Sequence, residues 1–181
     1  LEEGREYILE IEYKWQGRFP AVQIGMLPPD EEDLMEKAVS LAKECDAVVM
    51  VVGTNSDWET EGNDRSSLGL PGDQDILINK VVEANPNSVV VINTGSPISM
   101  PWIKETKAIL QSWFPGQEFG NALYDILFGE TNPSGKLPTT FPMKLDDTPA
   151  YSHYPGENLQ MDYLEEIYVG YRWYEKEKIK P

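Results

Sequence analysis

Cysteine and histidine are almost missing from this chain: Cys45 and His153 stand alone in 181 residues. One thiol forbids an internal disulfide, and its place between helical "AVSLAKE" and apolar "AVVMVV" predicts a buried, inert Cys45. One imidazole excludes the usual His-containing triads and multi-His metal sites within the chain. His153 is expected on the surface or in packing, and acid/base chemistry falls to carboxylates. Positive charge is also scarce, with 15 Lys and Arg against 31 Asp and Glu and a net charge of −16. Such a surface repels phosphate backbones and anionic lipid, so no nucleic-acid partner is expected. Nor is a membrane anchor, because no apolar run approaches the roughly 20 residues of a spanning helix. "LEEGREY" has neither the basic region nor the apolar core of a targeting signal. Without an N-x-[ST] acceptor, and with one cysteine, composition leaves intracellular and secreted locations equally open.

What is present suffices for one full core and a smaller element: 40% hydrophobic and 10% aromatic residues. In residues 5 to 25, Tyr7, Leu9, Ile11 and Tyr13 recur at period two and the pattern breaks at Gly17, which predicts a β-hairpin. "MLPPD" ends it, with Pro28 and Pro29 stiffening the entry to a helix capped by Asp30. A module boundary is placed there, giving residues 1–27 and 28–181. Beyond it, Leu34, Ala38, Leu41, Ala42 and Cys45 share a helical face, and residues 46–52 read as a strand buried on both faces. The unit repeats: a helix past Gly72, a strand at 88–93, a strand at 108–113, and a helix over "GQEFGNALYDILFG" with Phe119, Ala122, Leu123, Ile126 and Leu127 on one face. This alternation specifies an α/β layered sandwich, its mostly parallel sheet flanked by helices, with sites beyond the carboxyl ends of the strands.

Between the strand ending at Gly53 and the helix after Gly72 lies a connection of about 19 residues, where two to six are usual. Asp57, Glu59, Glu61, Asp64 and Arg65 crowd into it beside Trp58. Crowded carboxylates raise one another's pKa, and a carboxylic acid still protonated near neutrality serves as a general acid. Composition alone favours solvated side chains with Arg65 pairing Asp64. A calcium loop is a third reading, although the spacing does not fit an EF-hand.

"EGNDRSSLGLPGDQDILI", "VVVINTGSPISMPW", "AILQSWFPGQEFGNALYDILFGETNPSGKLPTTFP" and "YLEEIYVGYRWY" together resemble the C-terminal α/β sandwich domain of family 3 glycoside hydrolases, the β-glucosidase family. The resemblance runs in order from about residue 30 to residue 175. The first 27 residues resemble the last strands of a PA14 module, which precedes this domain in a subset of these enzymes. The resemblance implies a fragment of a retaining β-glucosidase acting on terminal β-D-glucosyl residues of a β-glucoside or oligosaccharide. In that chemistry one carboxyl attacks the anomeric carbon while another, about 5 to 5.5 Å away, protonates the departing oxygen and then deprotonates water. The nucleophile would lie on an N-terminal barrel domain of the longer chain, and this fragment alone would be inactive. No metal or organic cofactor is implied.

In the family the acid/base lies in a segment reading E-G-x-D-R, matched here by Glu61, Gly62, Asp64 and Arg65. Glu61 is therefore the expected acid/base, with Glu59 the runner-up should the loop register slip. Gly62 would permit an unusual backbone turn, and Asp64 with Arg65 would hold the loop by an ion pair or orient the acid. Trp58 would line the aglycone side or pack beneath the loop. "SDW" at 56–58 also resembles the family's nucleophile motif, but the preceding "LAKECDAVVMVVG" matches the first strand of the second domain, so Asp57 is not expected to attack. "NTGSP" and "GQE" fall at strand ends and read as a turn and a helix start. Glu165 and Glu166 are expected to pack against the acidic loop. The competing functional reading is a non-catalytic module whose loop binds carbohydrate or protein.

Overall fold

The structure, a computed structural model, describes residues 4–14, 22, 24–25, 33–62 and 64–181. Helix α1 spans Leu34–Glu44. It starts where it does because Asp33 Oδ1 accepts the N–H groups of Met35 (3.0 Å) and Glu36 (3.2 Å), two of the donors a first helical turn leaves open. The expected cap, Asp30, lies outside the described residues, as do Pro28, Pro29 and Gly17. Residues 5–14 form neither helix nor strand, and most of the rest of the expected hairpin lies outside the described residues.

The buried face of α1 differs from the expected one. Ala42 is buried and Val39 packs on the core, while Leu34 and Leu41 are exposed. The helix rests on its neighbour α2, Gln74–Ala84, and this contact rotates the buried stripe away from the two leucines. Lys80 of α2 pairs with Glu36 at 2.8 Å across the same contact. Cys45 is exposed rather than buried: its backbone is already extended at the C-cap, so the helical period does not carry it inward.

Strands β1 (Val48–Gly53), β2 (Ser88–Asn93) and β3 (Ala108–Gln111) form a parallel sheet in the order β1-β2-β3. Val48 pairs with Ser88 and Gly53 with Asn93, and Val89 to Ile92 pair with Ala108 to Gln111. One face carries the core, where Met50, Val52, Val90 and Ile92 meet Ile78, Val81 and Val82 of α2, with Ile98 and Trp102 closing the end. Each such side chain contributes about 1.5–3 kcal/mol when fully removed from water. Central β2 is buried on both faces, Val91 included. β1, expected to be like it, is buried on one face only: Val49 and Val51 are exposed, because it is the sheet's edge strand and no described element covers its second face.

Polar groups fix the ends of the elements. Asn85 Nδ2 donates to the carbonyls of Ala42 (2.9 Å) and Cys45 (2.7 Å), tying the end of α1 to the end of α2. Trp102, fully buried, satisfies its indole N–H on Asp75 Oδ1 at 2.7 Å. Farther along, α3 spans Phe119–Leu127 and follows "GQE" as expected. Phe119, Leu123, Ile126 and Leu127 are half-buried on its inner side and Ala122 is exposed. The short helix α4, Tyr171–Glu177, buries Tyr174.

The register has one consequence for the site. Because Gly53 and Asn93 are opposite each other, the connections after β1 and β2 leave the sheet side by side at its carboxyl edge. A Cβ on Gly53 would lie 2.0 Å from the Asn93 carbonyl oxygen, so only glycine allows this approach.

Candidate active site

The acidic connection is ordered from its first residues. Thr54 N–H donates to Asn93 O at 3.1 Å, and Gln74 closes the far end by exchanging hydrogen bonds with both backbone groups of Gly53 (2.8 and 2.9 Å). "NSDWE" then makes one tight turn. Asn55 Oδ1 accepts from Asp57 N–H, and Asn55 O accepts from the N–H groups of Trp58 (3.0 Å) and Glu59 (2.9 Å), the local side-chain bonding that makes asparagine a turn former. The turn sends Glu59 inward.

There the Glu59 carboxylate is occupied on both oxygens. Oε1 accepts from Thr54 Oγ1 and from Gly95 N–H (2.9 Å), and Oε2 accepts from Ser96 Oγ (3.0 Å). Arg65 stands 4.0 Å away, with both side chains about 15% exposed (15% and 14%). Arg65 also donates to Ser96 Oγ (3.0 Å) and Pro97 O (2.9 Å). Glu61 is the opposite case. It is exposed, and among the described residues nothing hydrogen-bonds or ion-pairs with its carboxylate. Gly62 follows it at φ +86°, the left-handed backbone expected of the turn.

Glu61 lines a cavity of about 730 Å3, walled by Trp58, Glu59, Asp64 and Arg65, by Ser96 and Pro97 after β2, by Thr139 and Thr140, and by Tyr174 of α4. The cavity sits beyond the carboxyl ends of β1 and β2, where a parallel sheet places its ligands. Trp58, 41% exposed, presents a ring there of the kind that stacks on a sugar face. Tyr174 titrates above its ordinary range, first through burial and then through the charge of Asp147.

The expected ion pair between Asp64 and Arg65 does not form. Arg65 turns to Glu59 and the β2–β3 connection, while Asp64 Oδ2 accepts a 2.6 Å hydrogen bond from Tyr154 Oη. Asp57 is exposed and is not part of the cavity wall. His153, half-buried, has Nε2 3.0 Å from Ser152 Oγ. Glu165 is half-buried and Glu166 exposed, and it is Gly170 and Tyr174 of their segment that reach the cavity. Sequence reasoning missed Thr54, Gly95, Ser96 and Tyr174. "NTGSP" is indeed a turn, but its glycine and serine hold the acidic loop; the glycine was the available signal.

Known proteins share this fold. The sequence model of the glycosyl hydrolase family 3 C-terminal domain matches residues 5–171. "Probable beta-glucosidase I" of Aspergillus clavatus is 49% identical over 151 residues, covering 83% of this chain and 18% of that protein. Among solved structures, the beta-glucosidase of Kluyveromyces marxianus in complex with glucose superposes with a TM-score of 0.80 at 40% identity, over 86% of this chain and 19% of that one. A GH3 beta-glucosidase from Bifidobacterium adolescentis gives 0.76 at 42% identity, over 84% and 23%. The chain thus spans about a fifth of the length of these relatives. A family match over almost all of its residues leaves one assignment: the chain belongs to the glycosyl hydrolase family 3 C-terminal domain family.

Proposed function

We propose that this chain is the part of a retaining β-glucosidase that supplies the general acid/base, and that Glu61 is that group. The nucleophile is assigned to a barrel domain elsewhere in the longer protein, and the substrate to a β-glucoside or oligosaccharide with a terminal β-D-glucosyl residue. One observation carries the choice of residue. Of the two candidate glutamates, Glu59 has both oxygens taken by donors, whereas Glu61, at the cavity wall, has no partner among the described residues. A group that gives a proton to a departing oxygen and reclaims one from water must reach the ligand with a free oxygen. Trp58 is assigned to the aglycone side, where its exposed ring lines the cavity. The names of the relatives, all beta-glucosidases, support the substrate class. Residues 1–27 are assigned to the end of a PA14-like module.

The test is made in the full-length enzyme. Glu61→Ala should lower turnover of cellobiose by about 10²–10⁴-fold, the usual worth of a positioned general acid. An activated substrate such as 2,4-dinitrophenyl β-glucoside needs little protonation on leaving, so its glycosylation step should fall far less. Azide should restore turnover and give a glucosyl azide. Equal loss on both substrates without azide rescue would remove Glu61 from the role and favour a non-catalytic binding module.

A further inference from the structure

The runner-up glutamate has a place of its own. Glu59 and Arg65 bracket the turn that carries Glu61, and both are fastened to the same point. Ser96 Oγ donates to Glu59 Oε2 at 3.0 Å and accepts from Arg65 Nη1 at 3.0 Å. The hydroxyl is thus a node between an acid on one side of the turn and a base on the other. Gly95 N–H and Pro97 O add one bond on either side of it. No room remains for slack: a Cβ on Gly95 would lie 2.6 Å from Glu59 Oε2 and 2.7 Å from the Phe114 ring.

We propose that Glu59 is a positioning residue which, with Arg65 and Ser96, pins the chain on either side of Glu61 to the β2–β3 connection and so fixes where Glu61 meets the glycosidic oxygen. This rests on the acid/base role of Glu61. Only Thr60 separates the two glutamates, so a shift of the backbone at 59 passes directly to 61. Beyond Glu61 the chain reverses through Gly62, whose positive φ lets the turn bend but adds no stiffness. The side chains that bracket the tip thus add to its rigidity. A misplacement of about 1 Å at a reacting group costs up to about 100-fold in rate, which sets the scale of what this fastening is worth. Glu59 itself does not transfer the proton, because both of its oxygens already accept from Thr54, Gly95 and Ser96.

Glu59→Gln keeps the shape and two acceptor bonds but removes the charge facing Arg65. Ser96→Ala removes only the node, and serves as the second variant should the first fail to fold. In the full-length enzyme each should lower kcat/KM on cellobiose about 10- to 100-fold and lower it less than about threefold on 2,4-dinitrophenyl β-glucoside, whose glycosylation step needs little protonation. Azide should rescue Glu61→Ala and not Glu59→Gln, whose Glu61 carboxylate still blocks the anion. If Glu61→Ala shows its substrate split and azide rescue while Glu59→Gln and Ser96→Ala lose activity equally on both substrates, or lose none, the positioning role is overturned and the role of Glu61 stands. If azide instead rescues a Glu59 variant and Glu61→Ala is unaffected, both are overturned.

Discussion

Asp64 takes its hydrogen bond from a phenol 90 positions farther along the chain, Tyr154. That bond, then the carboxylate's charge, and last a little desolvation push the titration of Tyr154 above its ordinary range. A raised value means the folded chain holds the phenolic proton more tightly than the unfolded chain. The bond's contribution is therefore fully present below the ordinary tyrosine value of about 10 and is lost as pH rises through the raised one. Tyr154→Phe should accordingly be less stable than the parent at pH 8, and the gap should narrow at pH 11. Urea unfolding at the two pH values measures it, and an unchanged gap would show that the phenol's proton is irrelevant. Some of this scale was legible beforehand. Gly62 was expected to bend the turn and does, and Glu61 was picked out by a motif. The partner of Arg65 was misread because adjacent residues such as Asp64 and Arg65 need not face one another, while its true acceptors on Ser96 and Pro97 lie more than 30 positions away (31 and 32).

At the scale of elements, α1 is the member most dependent on a local device. Its apolar face is narrow, its leucines at 34 and 41 face water, and Asp33 closes two backbone donors at its start. Asp33→Ala should lower unfolding free energy by about 1 kcal/mol and Asp33→Ser should restore most of it, both read from denaturant midpoints at constant slope. The elements of the α/β unit were readable. Runs of valine and isoleucine at 48–53 and 88–93, separated by a periodic helix, allow little other than a parallel α/β unit. Their facing was not readable for β1. "VVMVV" has no polar contrast, so the chain cannot announce which side stays wet; position at the sheet's edge decides it.

For the whole molecule, the net charge of −16 is a standing repulsion. Like charges spread over a compact surface oppose compaction, and salt screens them over a Debye length that shrinks to about 10 Å at 0.1 M. Raising sodium chloride from 20 to 200 mM should therefore lift the thermal midpoint of the chain by a few degrees, as followed by circular dichroism. A midpoint that falls would mean that the favourable pairs, such as Glu36–Lys80 and Glu59–Arg65, outweigh the excess charge. The sequence by itself determined the class of fold, the long acidic connection after the first strand, and the family, because these depend on local periodicity, turn chemistry and motif. Only the tertiary structure decided which glutamate is fastened and which has no partner among the described residues. That distinction depends on donors from Gly95, Ser96 and Arg65 meeting at one point, and such a meeting is set by strand register, which no local stretch of residues contains.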